Sequence, residues 1–198
     1  MTLRLAEIET NQRDRYQLRF HSTTEVLTDP FAIWQRGASE IIIPSGEYSF
    51  DEAEFSMSFG EQRKVFGSFG VRSGDFFDGK RQALSGEIGW RPSIHFATAL
   101  SYETNDVELP GGSFISRLIQ FRTDVVFSST VSWVTQLQYD NVTESIGINS
   151  RLHWIPEAGR EAFIVLNHNL QNFDPLTSNT FNSAAADLTL KYSYTFRF

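Results

Sequence analysis

Four histidines, His21, His95, His153 and His168, are the side chains of this 198-residue sequence best suited to moving protons near neutral pH. An imidazole becomes a general base only with a hydroxyl or carboxylate in hydrogen-bond reach, so Ser/His/acid and Asp/His sets are the relevant chemistry. In extended chain, His95 and His153 share one parity, with Glu87, Arg91 and Arg151 as neighbours on that face. The alternative to catalysis there is a polar network in which these groups neutralise one another's buried charge. His168 falls on the opposite, apolar parity, a poor place for catalysis. Metal binding by His95 and His153 requires a further ligand that the spacing does not supply, so no metal site is assigned. With Cys 0, disulfides and thiolate sites are excluded. There is no glycine-rich phosphate loop and no zinc motif, and no cofactor is expected. Asn141-Val142-Thr143 is a glycosylation sequon. No catalytic residue emerges, and enzymatic activity is not expected of the residues present.

A second set is ionic. Arg15, Arg19, Arg72, Arg81, Arg117, Arg122, Arg151 and Arg197 are set against Glu87, Glu103, Asp124, Asp140 and Asp187 as paired ladders on one face. Rings of this kind select ions in channels; the other reading is structural salt bridges filling an enclosed polar space. With Gln136 and the two histidines, the polar candidates are Arg122, Asp124, Gln136, Asp140, Arg151, His95 and His153. Asp75, Asp78, Asp106 and Glu108 read as acidic loop tips, either solvated or holding divalent ions. The net charge of -7 argues against nucleic acid, whose phosphates demand clustered Lys and Arg.

These side chains must be positioned by strands. Alternating segments recur near 185–198, 161–171, 143–154, 131–141, 114–127, 94–103, 80–91, 64–73, 47–59 and 14–24, with residues 3–10 as one more. Most run about 9–13 residues, nearer a tilted membrane strand than the roughly 5–6 residue norm of soluble sheets. Short connections fall at 60–63, 91–93, 128–130, 141–142 and 155–160, and longer ones at 25–46, 104–113 and 172–184. Asp78-Gly79 has the composition of a tight primed turn.

The two faces differ in chemistry. One carries Ile94, Phe96, Leu100, Ile119, Phe121, Val125, Leu137, Ile146, Ile148 and Leu152; the other carries Ala97, Ala99, Ser101, Gln120, Ser132, Gln138, Gly147 and Asn149 with the charges above. Trp90, Trp133 and Trp154 sit on the apolar face beside short turns, and Tyr102 and Tyr139 at the opposite strand ends. Aromatic girdles flanking an apolar band are the pattern of barrels that cross a membrane. No run approaches the roughly 18 apolar residues of a membrane helix, and the mean hydropathy of -0.28 is compatible with strands that face lipid at every second residue. The expected fold is all-β: an antiparallel transmembrane β-barrel with about ten or eleven strands. A soluble ligand-binding β-barrel is the alternative, its apolar face then being the core.

The last segment, Lys191-Tyr192-Ser193-Tyr194-Thr195-Phe196-Arg197-Phe198, alternates strictly and ends on an aromatic. Similarity to closing strands of bacterial barrels implies that Tyr194, Phe196 and Phe198 form an assembly signal read by the barrel-assembly machinery. The odd strand count and the lack of a leader h-region at Met1–Glu7 lead us to expect that residues 1–198 are the C-terminal portion of a larger barrel.

Several motifs resemble an uncharacterised family of bacterial outer-membrane barrels. They are Gly74-Asp75-Phe76-Phe77-Asp78-Gly79-Lys80-Arg81, Trp90-Arg91-Pro92-Ser93, Leu109-Pro110-Gly111-Gly112-Ser113-Phe114, Gln138-Tyr139-Asp140-Asn141, Asn149-Ser150-Arg151-Leu152-His153-Trp154 and the closing strand. The resemblance runs from about Asp14 to Phe198, each motif weak alone and the set more specific through its order. It implies location in the outer membrane, with lipid and the assembly machinery as partners. The barrel in that family usually follows a signal peptide and a family 9-like carbohydrate-binding module, both absent from this sequence. Carbohydrate binding or processing is thereby implied for a full-length protein only. Anchoring or pore formation is the function this resemblance favours, and an integral outer-membrane hydrolase is the alternative.

Overall fold

The computed structural model describes residues 1–37, 39–60, 62–173 and 180–195. Among these, side-chain alternation resolves into thirteen strands: β1 (Thr2–Glu9), β2 (Arg15–Leu27), β3 (Phe31–Arg36), β4 (Ser39–Ile43), β5 (Gly46–Phe59), β6 (Val65–Phe76), β7 (Gly79–Ser93), β8 (Phe96–Leu109), β9 (Gly112–Ser128), β10 (Val131–Asp140), β11 (Ser145–Glu157), β12 (Arg160–Gln171) and β13 (Asn182–Tyr194). Eleven form one sheet in the order β1-β2-β5-β6-β7-β8-β9-β10-β11-β12-β13, and β3 pairs with β4 in a separate hairpin. The segment at 3–10 is therefore a strand, giving the upper of the two expected counts. The all-β antiparallel architecture stands. Phe196, Arg197 and Phe198 lie outside the described residues.

Three details depart from expectation. The connection at 25–46 holds the β3–β4 hairpin. The connection at 104–113 is not a loop, since β8 runs to Leu109 and β9 starts at Gly112, leaving Pro110-Gly111 between them. Asp106 and Glu108 in β8, and Asp75 near the end of β6, are strand residues rather than loop tips; pairing overrides the loop preference of Asp and Glu. Finally, the turn before β7 is made by Phe77 and Asp78, with Phe77 at φ 50°. Gly79 begins the strand because a Cβ there would stand 1.9 Å from the Glu108 carbonyl oxygen.

The described chain divides into two compact units, one of Met1–Ile88 with Tyr102–Arg117 and one of Gly89–Ser101 with Leu118–Phe198. In the first, registers align Arg19 with Glu54 and His21 with Glu52 on one face, and Leu18 with Phe55 on the other. A bulge between Arg4 and Ala6 resets β1, so that Glu7 and Glu9 oppose Gln17 and Arg15 while Ile8 opposes Tyr16. The buried hydrophobic residues lie on the charged face: Tyr48 and Phe50 precede Glu52 on the same parity of β5 and are packed by Ile43, Leu27, Ile33, Phe76, Phe77 and Leu109. Phe50 meets Phe76 and Phe77 at centroid distances of 5.7 and 5.3 Å, and Trp34 stacks on Phe114 at 6.1 Å. The hairpin thus covers part of the polar face with an apolar lid, its Tyr48 neighbour donating a hydrogen bond to the Pro44 carbonyl at 2.8 Å. Leu18, Phe55, Val71, Leu84 and Ile88 remain exposed.

The second unit repeats the division of faces. Its registers run Val125–Trp133–Leu152–Ile164–Leu190 on one side and Arg122–Gln136–Asn149–Asn167–Asp187 on the other. The first row is apolar throughout, and Trp133, Ile164 and Leu190 in it are exposed.

The hairpin's two sides should respond differently to truncation. Ile43 is 2% exposed and Ile42 44%. Ile43→Ala should cost about 2–4 kcal/mol, and Ile42→Ala within about 0.5 kcal/mol, read from urea unfolding of the refolded chain in detergent micelles. Equal losses would show that the hairpin is not packed as described.

Candidate functional site

The densest chemistry in the first unit is an ion network on β2, β5, β6 and β7. The Glu52 side chain, 3% exposed, accepts two hydrogen bonds from one guanidinium: Arg81 Nε at 2.8 Å and Nη2 at 2.6 Å. Arg72 Nη1 adds a contact at 3.8 Å. Two residues along, Glu54 takes Arg72 Nη2 at 2.6 Å, Arg19 Nη1 at 3.2 Å and His21 Nε2 at 2.8 Å. Arg19 also donates to Gln17 Oε1, and the Arg81 guanidinium lies 4.4 Å from the centre of the Phe76 ring. Two carboxylates are thus enclosed by three guanidinium groups and an imidazole. A paired carboxylate of this kind keeps its charge in a space that would otherwise expel it.

Beside the network is a cavity of about 450 Å³ whose lining includes Arg15, Gln17, Glu54, Arg72, Arg81, Glu103 and Asn105. Its arginines are each paired with a carboxylate, Arg15 with Glu7 and Glu9 at 3.6 and 3.4 Å, Arg72 with Glu54 and Arg81 with Glu52. Sequence parity assigned Arg15, Arg19, Arg72 and Arg81 to this face but overlooked Glu52, Glu54 and His21 as their partners. The signal was present: Tyr48, Phe50, Glu52, Glu54, Ser56 and Ser58 share one parity of β5. Arg117 lies elsewhere, since it shares the parity of Ile115 and Ile119 in β9. Arg197 lies outside the described residues.

In the second unit the polar candidates do not converge on one centre. Arg122 and Asp124 bond each other within β9, at 2.8 and 2.7 Å. Gln136 stands opposite Arg122 and Asn149. Asp140 serves the β10–β11 turn, its Oδ1 accepting from the Val142 and Thr143 amides at 2.7 and 3.4 Å. Arg151 lies across from Val134 and Val165. His95 occupies the β7–β8 turn rather than a strand, with Nδ1 2.9 Å from the Val126 carbonyl oxygen. The His153 ring stacks on Phe163 at 4.2 Å, and its Nε2 is 3.6 Å from Glu161. Neither imidazole has a serine hydroxyl within hydrogen-bond distance among the described residues, and none of their His, Asp and Glu side chains group to hold a metal ion. His168 is on the apolar row opposite Ile148, and its Nε2 lies 2.9 Å from Ser183 Oγ.

Trp90 and Trp154 are about half exposed, and Trp133 donates to Ser150 Oγ at 2.7 Å. Tyr139 lies next to the end of β10, 6.2 Å from Phe181. Tyr102 sits mid-strand, because β8 continues to Leu109. Tyr194, the last residue of β13, has the Arg160 guanidinium 4.9 Å from its ring centre, and Phe196 and Phe198 are outside the described residues.

Removing charge should separate the two kinds of ion pair. Glu52→Gln leaves Arg81 without its carboxylate in an enclosed place and should cost about 3–5 kcal/mol. Asp124→Asn, on a partly exposed pair, should cost at most about 1 kcal/mol. Urea midpoints in micelles give both values; a Glu52→Gln loss under about 1 kcal/mol would mean the network is not desolvated.

No family model matches the chain, and no curated protein matches it. Among solved structures, the chain is similar to a KdgM porin in complex with disordered oligogalacturonate, at 10% identity and TM-score 0.37, over 92% of this chain and 93% of that one. It is similar to a NanC porin at 8% identity and TM-score 0.38, over 98% and 97% of the two chains. A KdgM porin structure matches at 10% identity and TM-score 0.36, over 99% and 96%.

Proposed function

We propose that the chain is an outer-membrane β-barrel whose polar face lines a narrow lumen for polar solutes. The observation that carries this reading is the inversion of the two faces. Leu18, Phe55, Val71, Ile88, Leu100, Phe121, Trp133, Ile164, Leu188 and Leu190 are exposed, while Glu52 and Gln17 are among the most buried side chains. A water-soluble sheet would bury the first group and solvate the second, and an apolar surface of this extent demands cover. Lipid supplies it without further protein. The soluble ligand-binding alternative conflicts with that exposure. Arg81, Arg72 and Arg19 pair with Glu52 and Glu54 on the inner face, and Ile43 of the hairpin packs with Tyr48 and Phe50 on that face. The resemblance to barrels that follow a carbohydrate-binding module extends the proposal to saccharide handling in the full-length protein.

Two measurements test this. Expressed behind a secretory leader, the chain should fractionate with the outer membrane and run faster on gels before heating than after. Recovery as a dispersed monomer in buffer without detergent would overturn the reading. Phe121→Arg, on the apolar face, should destabilise the vesicle-reconstituted protein by roughly 2–4 kcal/mol, whereas Gln136→Arg on the polar face should change stability little.

A further inference from the structure

On the polar face of the second unit, side-chain amides form a block among the charged residues. Cross-strand registers place them in two rows, Gln120–Gln138–Gly147–Asn169–Ala185 and Arg122–Gln136–Asn149–Asn167–Asp187. Gln120 Nε2 donates to Gln138 Oε1 at 3.0 Å, Asn149 Nδ2 to Asn167 Oδ1 at 2.5 Å, and Ser101 Oγ to Gln120 Oε1 at 3.3 Å. A carboxamide offers two N–H donors and two acceptor lone pairs, so these bonds fix its orientation and consume only part of its capacity. The charges at the margin are spent locally, Arg122 on Asp124 and Asp187 on Thr189 at 2.9 Å.

Gly147 interrupts the first row, and a Cβ built there meets nothing within 4 Å. The notch belongs to a cavity of about 400 Å³ whose lining includes Gln136, Gln138, Asn149, Asn167, Asn169 and Asp187, a volume within the roughly 300–1,000 Å³ range of small-ligand sites.

We propose that this amide-lined notch binds an uncharged polyhydroxylated ligand, a neutral oligosaccharide. Vicinal hydroxyls each donate and accept, which matches adjacent carboxamides held at fixed spacing. An acidic sugar would gain nothing from a patch whose guanidinium is already paired. A peptide would need several pockets for apolar side chains, and besides its amides and Asp187 this lining offers only Gly147, Ala185, Ile148 and His168. The site rests on the lumen reading of the polar face.

The test uses the full chain refolded in detergent micelles, with folding read from its gel shift on heating. Maltohexaose is titrated by calorimetry, with trigalacturonate and trialanine as competitors. Saturable binding of maltohexaose, stronger than of either competitor, is expected. Gly147→Leu, at a position where a Cβ meets nothing within 4 Å, puts an apolar side chain into the notch and should weaken binding at least about tenfold, and Asn149→Ala with Asn167→Ala should do the same by removing donors and acceptors. Unchanged heat-shift behaviour of these variants shows that folding is intact. Folded protein that ignores maltohexaose, prefers trialanine or trigalacturonate, or binds equally after Gly147→Leu would overturn the site and leave the barrel standing. A chain that stays dispersed without detergent would overturn both.

Discussion

A carboxylate almost wholly removed from solvent, as Glu52 is, survives as an ion only where its partners replace the lost hydration. Arg81 does this with a two-pronged grip, and Arg72 joins Glu52 to Glu54. The consequence spreads outward from that point. Because the strand alternates, committing Glu52 and Glu54 to the enclosed side commits Ala53, Phe55 and Met57 to the other. Each neighbouring strand must then follow the same parity, since its register is held by the ion pairs on one face and by apolar contacts on the other. Ile33 and Ile43 of the hairpin pack with Tyr48 and Phe50, which precede Glu52 on the same face of β5.

The strands of the large sheet were legible because their two faces differ in chemistry along nearly every segment. The β3–β4 hairpin was not, and Ile41-Ile42-Ile43 shows why. Ile41 and Ile43 are buried and Ile42 is exposed, so the alternation is real, but all three residues are apolar and the pattern is invisible in composition. The far end of β8 is hidden in the sequence for the opposite reason. Thr104 to Glu108 is rich in residues that favour loops, yet only Val107 there is buried, and backbone pairing carries the strand on past the apolar band.

The candidate site was legible by half. Parity assigned most of the arginines to the polar side, since that needs only the local chain. It did not identify which acid each one meets, because Glu52 and Arg81 are 29 residues apart and come together through the registers of three strands. His95 shows the same limit in reverse: β8 starts at Phe96, two residues later than the expected 94–103, and that leaves His95 in a turn rather than on a strand face. The amide rows are a product of register as well, for Gln136, Asn149, Asn167 and Asp187 have no relation in sequence until four strands are laid side by side.

The order of strands has a kinetic meaning. From β5 to β13 every neighbour in the sheet is also the neighbour along the chain, and the one gap, between β2 and β5, is bridged by a hairpin that packs on β5 itself. Loop closure for each new pairing is therefore short, and contact order within the sheet is low for an all-β chain. Such a chain grows hairpin by hairpin, each added strand meeting an edge that was completed just before it.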